Sequence, residues 1–251
     1  MQSASKNPLA EPYITGVSSG AGLGIVLSIL FLNSVNYSVF GFLGALITSL
    51  FVIFICGFNK FSISKLILIG LSINVFFSAL ISLIILVNPM KSYTMMLILS
   101  GGVTNNEIIS NKALIVIFLI LIFLSLLFIP KLNYLRLDSD LIQANDKKRN
   151  LYFAISIILS ALLTSLSVFS AGIIGFVGII IPQISKIILG QDYRWLFLSN
   201  IILGASFILI ADFCARSIIY PLQIPLGLIV AFIGAPIFIY FLTKKGDIFN
   251  D

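Results

Sequence analysis

The chain has 251 residues, 59% of them hydrophobic and 10% charged, and a mean hydropathy of +1.16. A soluble core of this size cannot enclose so much apolar surface, so the composition specifies an integral membrane protein. The net charge of +6 therefore bears on orientation in a bilayer, and nucleic acid is excluded as the partner it implies.

Residue usage removes several chemistries. There is no histidine to activate a serine or ligate a metal, and the two cysteines, Cys56 and Cys214, lie far apart at the ends of apolar segments. Neither a disulfide framework, a resident metal nor any other cofactor is expected. No GxxxxGK[ST] phosphate loop is present, so any use of ATP must come from another subunit. Asp138 and Asp140 lie among lysines in a polar stretch and do not form an acid/base pair, so no enzymatic activity is expected.

In chain order, the opening MQSASKNPLAEPY has one lysine and no apolar h-region, unlike a signal peptide. Runs able to cross a hydrocarbon layer of about 30 Å follow. Eight are read, at 16–32, 38–57, 64–87, 112–130, 151–171, 173–189, 196–214 and 226–243. Little polar sequence separates the two around Gly172, so the second of them is either a full span or a broken, re-entrant helix.

The first run places Gly16, Gly20 and Gly24 on one face, where small residues let another helix approach backbone to backbone. The third carries Ser64, Ser72, Asn74 and Ser78, which are expected to face the protein interior, bonded or lining a path. Between runs three and four, MMLIL followed by Gly101 and Gly102 predicts a short helix at the outer surface, stopped by the glycines. Pro182 interrupts the glycine-punctuated AGIIGFVGIIIPQISK, a pattern tolerated in a membrane where neighbours satisfy the freed backbone groups. Asp212 and Arg216 stand four apart near the outer end of the seventh run, spaced for an intramembrane ion pair.

The interval 131–150, KLNYLRLDSDLIQANDKKRN, carries eight charged residues between two uncharged flanks. It must lie in water, and its five basic residues assign it to the cytoplasm. It is read either as a solvated loop or as a short helix presenting Leu137, Leu141 and Ile142 to a cytoplasmic partner. Both termini then fall inside. Twelve basic residues sort to the cytoplasmic side, against Lys91, Lys112 and Arg216 outside. The expected fold is all-α, a single polytopic transmembrane domain over 1–251 with about eight spans.

Three stretches in order carry a resemblance: NPLAEPYITGVSSGAGLG at 7–24, AGIIGFVGIIIPQISKIILGQDYRW at 171–195 and ADFCARSIIYPLQIPLGLIVAFIGAPIFIYFL at 211–242. Together they resemble the permease subunits of ABC importers for iron-siderophores, haem and vitamin B12. The likeness runs from Asn7 to about Lys245.

The resemblance implies a multi-pass cell-membrane subunit of a type II importer that moves an iron chelate, haem or corrinoid inward. A second permease subunit, most simply a second copy, would complete the pathway within the lipid bilayer. Two cytoplasmic ATPase subunits would supply energy, and an extracytoplasmic solute-binding protein would deliver substrate.

Within that scheme the interval 131–150 takes the place of the family's coupling helices, with Asp138, Leu141, Ile142, Ala144 and Lys147 toward the ATPase. Ser64 and Leu68 fall at the cytoplasmic gate, and Arg216 on an arginine that meets acidic groups of the binding protein.

Family members have about ten spans, so this chain corresponds to that fold without its first two. Gln183 stands where a histidine is common, Tyr193 where DHR is common and Gln223 where a glutamate is common. The alternatives are a remnant or half-permease completed by a separate N-terminal piece, or a secondary transporter needing no ATPase.

Overall fold

The computed structural model describes Gln2, Glu11 and residues 16–32, 37–57, 63–102, 112–136, 147–190, 192–220 and 223–244. Nine α-helices and no strand occur among them. In order they are α1 (Val17–Phe31), α2 (Tyr37–Cys56), α3 (Ile63–Val87), α4 (Pro89–Leu99), α5 (Lys112–Arg136), α6 (Lys147–Ala171), α7 (Val177–Leu189), α8 (Tyr193–Ser217) and α9 (Leu226–Lys244).

Each of the eight apolar runs becomes a helix, and α4 is the short helix expected at the outer surface. It starts at Pro89, whose missing N–H costs nothing in a first turn. It ends at Gly101, which adopts φ 74.

Among the described residues, five helices are long and apolar enough to cross a membrane: α2, α3, α5, α6 and α8. The 13 residues of α7 rise only about 20 Å, so it cannot span alone. The run at 173–189 is therefore a half-helix preceded by non-helical backbone at 172–176. The polar interval is also narrower than the sequence implies. Helix α5 continues to Arg136 and α6 starts at Lys147, leaving 137–146 outside the described residues.

Three apolar clusters organise the bundle. Val17, Ala21, Ile25, Val26 and Ile29 of α1 pack with Ala45 of α2, Met95 of α4 and Val168 of α6. Nearer the other end, Val52, Ile53 and Cys56 of α2 meet Leu66 of α3 with Phe153 and Ile157 of α6. A separate cluster joins Ala211 and Ala215 of α8 to Leu226, Ile229 and Val230 of α9, with Phe176 and Val177 packed against it. The molecule thus has an α1–α4/α6 group and an α7–α9 group, connected through 172–176, with α5 lying against α6 and α8.

The outer end of that connection is a backbone junction. The Gly102 N–H donates to the Ala171 carbonyl at 2.9 Å, the Leu226 N–H to Gly101 at 3.3 Å and the Gly227 N–H to Ser100 at 3.1 Å. Groups freed where α4 and α6 stop and α9 starts thus satisfy one another, as irregular backbone at membrane depth requires. Such proximity needs glycine, since a Cβ at Gly227 would lie 2.6 Å from the Ser100 carbonyl.

Candidate functional site

Helix ends converge beside this junction around a cavity of about 290 Å³. Its wall includes Tyr37 at the start of α2, Tyr93 of α4, Ser170 of α6, Asp212 and Arg216 of α8, and Gln223 before α9. This is the end of the bundle that the charge bias assigns to the outside.

Four-residue spacing on α8 brings Asp212 and Arg216 onto one face. Arg216 Nε donates to Asp212 Oδ2 at 2.8 Å, and Nη2 to Oδ1 at 3.2 Å. The order suits the helix, with the cation in the last turn at the negative end of the dipole. The Ile224 N–H donates to the Ala215 carbonyl at 3.1 Å, folding the approach to α9 back over the same turn. The side chains remain 45% and 24% exposed, so water screens the pair and it contributes only about 0–1 kcal/mol. The guanidinium thus has only a small stake in the fold, and it lines the cavity wall together with Tyr37 and Tyr93.

The other candidate positions are dispersed. Gly20 and Gly24 face Thr48, Gly44 and Phe40 of α2, with no room for a Cβ, whereas Gly16 faces Gly70 and Ile73 of α3. Leu68 lies exposed on α3, and Ser64 is in that helix's first turn. Asp138, Leu141, Ile142 and Ala144 fall outside the described residues, and Lys147 is the first residue of α6.

Of α3's polar residues Asn74 is half-buried, whereas for Ser72 and Ser78 the expectation that they face the interior of this chain is not met. Ser72 and Ser78 are exposed, and only 6% of the α3 apolar window is buried, against 44% for α6. The Ser72 hydroxyl donates to the Leu68 carbonyl at 2.8 Å, so its own helix satisfies it without burial.

Three features escape sequence patterning. Lys91 of α4 reaches across to the last turn of α1, donating to the Ile29 carbonyl at 2.9 Å and the Leu30 carbonyl at 3.2 Å. This supplies a cation and donors where a helix end lacks them. Glu11 is buried against Gly178, whose N–H it accepts at 3.2 Å. Gln183 of α7 is buried, with an Nε2 that finds no hydrogen-bond partner among the described residues.

Comparison with known proteins places this architecture. A model of the FecCD transport family matches residues 1–244. The probable siderophore transport system permease YfiZ of Bacillus subtilis is 31% identical, over 98% of this chain and 75% of that protein. The Fe(3+)-citrate import system permease YfmD of the same organism is likewise 31% identical, over 98% of this chain and 74% of its own length. A solved chain described as a candidate metal-chelate type ABC transporter, in an inward-facing conformation, superposes with a TM-score of 0.85 at 32% identity. That match covers 97% of this chain and 80% of the other. A match over nearly the whole sequence, on a bundle of the same fold, shows that the chain belongs to the FecCD transport family and is a multi-pass membrane permease subunit.

Proposed function

We propose that this permease is the membrane-spanning part of an ABC importer for an iron chelate, and that the Arg216 cavity is where its solute-binding protein docks. The similar proteins named for siderophore and Fe(3+)-citrate transport favour an iron chelate over haem or a corrinoid. A second permease subunit lies against the exposed face of α3, so that Leu68, Ser72 and Ser78 border the pathway. Ser64 and Leu68 close its cytoplasmic end. Two ATPase subunits engage the interval around Asp138, Leu141, Ile142, Ala144 and Lys147, which faces the cytoplasm.

The observation that carries the docking reading is the position of an exposed arginine in a cavity walled by two tyrosines and a glutamine, among helix ends. Exchanging the charges (Asp212→Arg with Arg216→Asp) keeps the pair and reverses what it presents. An acidic docking group then meets an aspartate, and like charges across an interface cost several kcal/mol. Binding-protein affinity for the reconstituted transporter should fall about tenfold or more at low salt, with the difference shrinking as salt screens it. An exchanged complex that binds as tightly as wild type, with the same salt dependence, would leave Arg216 a structural ion pair.

A further inference from the structure

Half-helix α7 contains a residue that its own helix cannot satisfy. Gly178 lies in the first turn, where an N–H has no acceptor within the helix. The N-cap residue is Phe176, left-handed at φ 67, and it offers no side-chain cap. The carbonyl of Gly178 is orphaned for an unrelated reason. Its helical donor would be the N–H of residue 182, which is Pro182.

Gly178 lies at the surface of the chain, so in a bilayer its orphaned groups face lipid and not water. Gly234 stands near the middle of α9, and a Cβ there would lie 2.8 Å from Ile180 Cδ1 and 2.9 Å from Phe176 Cβ. The start of α7 is thus level with the interior of a neighbouring membrane helix, where unsatisfied backbone groups are strongly disfavoured.

Both orphaned groups are met by residues that precede α1. Glu11 Oε1 accepts the Gly178 N–H at 3.2 Å. Gln2 Nε2 donates to the Gly178 carbonyl at 2.9 Å. Glu11 is only 6% exposed, and its carboxylate faces the positive end of the half-helix. The seat is shaped for it, since a Cβ on Gly178 would lie 2.9 Å from Oε1 and 3.1 Å from Cγ of Glu11.

We propose that Gln2 and Glu11 are positioning residues. They form a two-point clasp on Gly178 that fixes half-helix α7, and with it the α7–α9 group bearing Arg216, to the segment leading into α1. The left-handed Phe176 is held because its neighbours on both sides are fixed: 171–172 by the α4 junction and 178 by the clasp. The clasp stands independently of which solute is carried and of where a binding protein docks.

Backbone hydrogen exchange of the chain in lipid nanodiscs tests it, followed at residues 177–181. Glu11→Ala should accelerate exchange at the start of α7 about tenfold, the scale of one lost hydrogen bond. Glu11→Gln keeps the accepting oxygen and should stay within about twofold of wild type, whereas Glu11→Asp falls short of Gly178 and should resemble Glu11→Ala. Gln2→Ala should also loosen the turn. Pro182→Ala returns a helical donor to the Gly178 carbonyl and should reverse the Gln2→Ala effect.

The clasp is overturned if Glu11→Ala leaves exchange unchanged. It is equally overturned if Asp serves and Gln does not, or if Pro182→Ala gives no rescue. Should Glu11→Ala fail to fold, the Gln2→Ala and Pro182→Ala comparison decides the matter unaided, because it leaves Glu11 in place.

Discussion

Gly24 and Gly204 both sit inside membrane helices, yet their surroundings assign them opposite consequences. A methyl group at Gly24 would run into the Phe40 carbonyl, and one at Gly44 into the Gly20 carbonyl, so α1 and α2 meet backbone to backbone. At Gly204 the nearest atom to a new Cβ is Ile181 Cγ2, at 4.0 Å. Gly24→Ala must therefore push apart a pair of helices whose contact anchors one of the apolar clusters, at a cost of about 1–3 kcal/mol or more. Gly204→Ala meets no clash and gains up to about 1 kcal/mol of helix propensity. In detergent the first should lower the unfolding midpoint by several degrees, at about 2–4 °C per kcal/mol for a chain of this size, and the second should leave it level or raise it. Equal midpoints for the two variants would mean that the α1–α2 contact is not tight. The repeat at 16, 20 and 24 marks the small face in the sequence, but it cannot say which helix each glycine meets. Gly16 turns to α3 while Gly20 and Gly24 meet α2, a division set by how α1 lies between two neighbours.

At the scale of elements, hydropathy locates helices and is blind to where they break. All eight runs are helical because transfer into lipid rewards apolar length and helix formation satisfies the backbone internally. The break at 172–176 leaves no mark in that signal, since Ile173, Ile174, Phe176 and Val177 are as apolar as their flanks. It is set by contacts more than fifty residues distant in sequence, where Ser100–Gly102 meets Ala171 on one side and Leu226–Gly227 on the other. Gly178 follows the same logic, because its partners lie at residues 2 and 11. The one local hint is Pro182, which leaves the carbonyl four residues earlier without a donor. The Asp212–Arg216 contact, by contrast, is a matter of spacing on a single helix. The junction makes its own prediction. Gly227→Ala places a methyl against the Ser100 carbonyl, which is backbone and cannot swing aside. Both bonds from α9 to Ser100 and Gly101 should open, with exchange at 226–228 rising about tenfold while the α1 core keeps its protection. Unchanged exchange at 226–228 would show that the junction absorbs the methyl and does not hold α9.

For the molecule as a whole, orientation is the property on which every proposed role depends, and charge placement together with helix direction fixes it. Successive spans alternate, so the ends of α1, α3, α6 and α8 and the starts of α2, α5 and α9 share one side, with α4 beside them. The residues lining the Arg216 cavity come from that set of ends. Of the 15 basic residues, only Lys91, Lys112 and Arg216 belong to it. Three basic residues against twelve are too few to hold this side in the cytoplasm. The opposite side gathers the other twelve, a bias that retains it inside. Met90, 98% exposed at the start of α4, and Tyr220, 86% exposed after α8, are reporters for the first side. Asp192, exposed between α7 and α8, and Asn145 in the polar interval report the second. In intact cells, single cysteines at Met90 and Tyr220, in a background lacking Cys56 and Cys214, should react with an impermeant maleimide. Cysteines at Asp192 and Asn145 should react only after the membrane is opened. Labelling of Asn145 in intact cells with Met90 protected would invert the molecule. It would put the Arg216 cavity in the cytoplasm, where no extracytoplasmic binding protein could reach it.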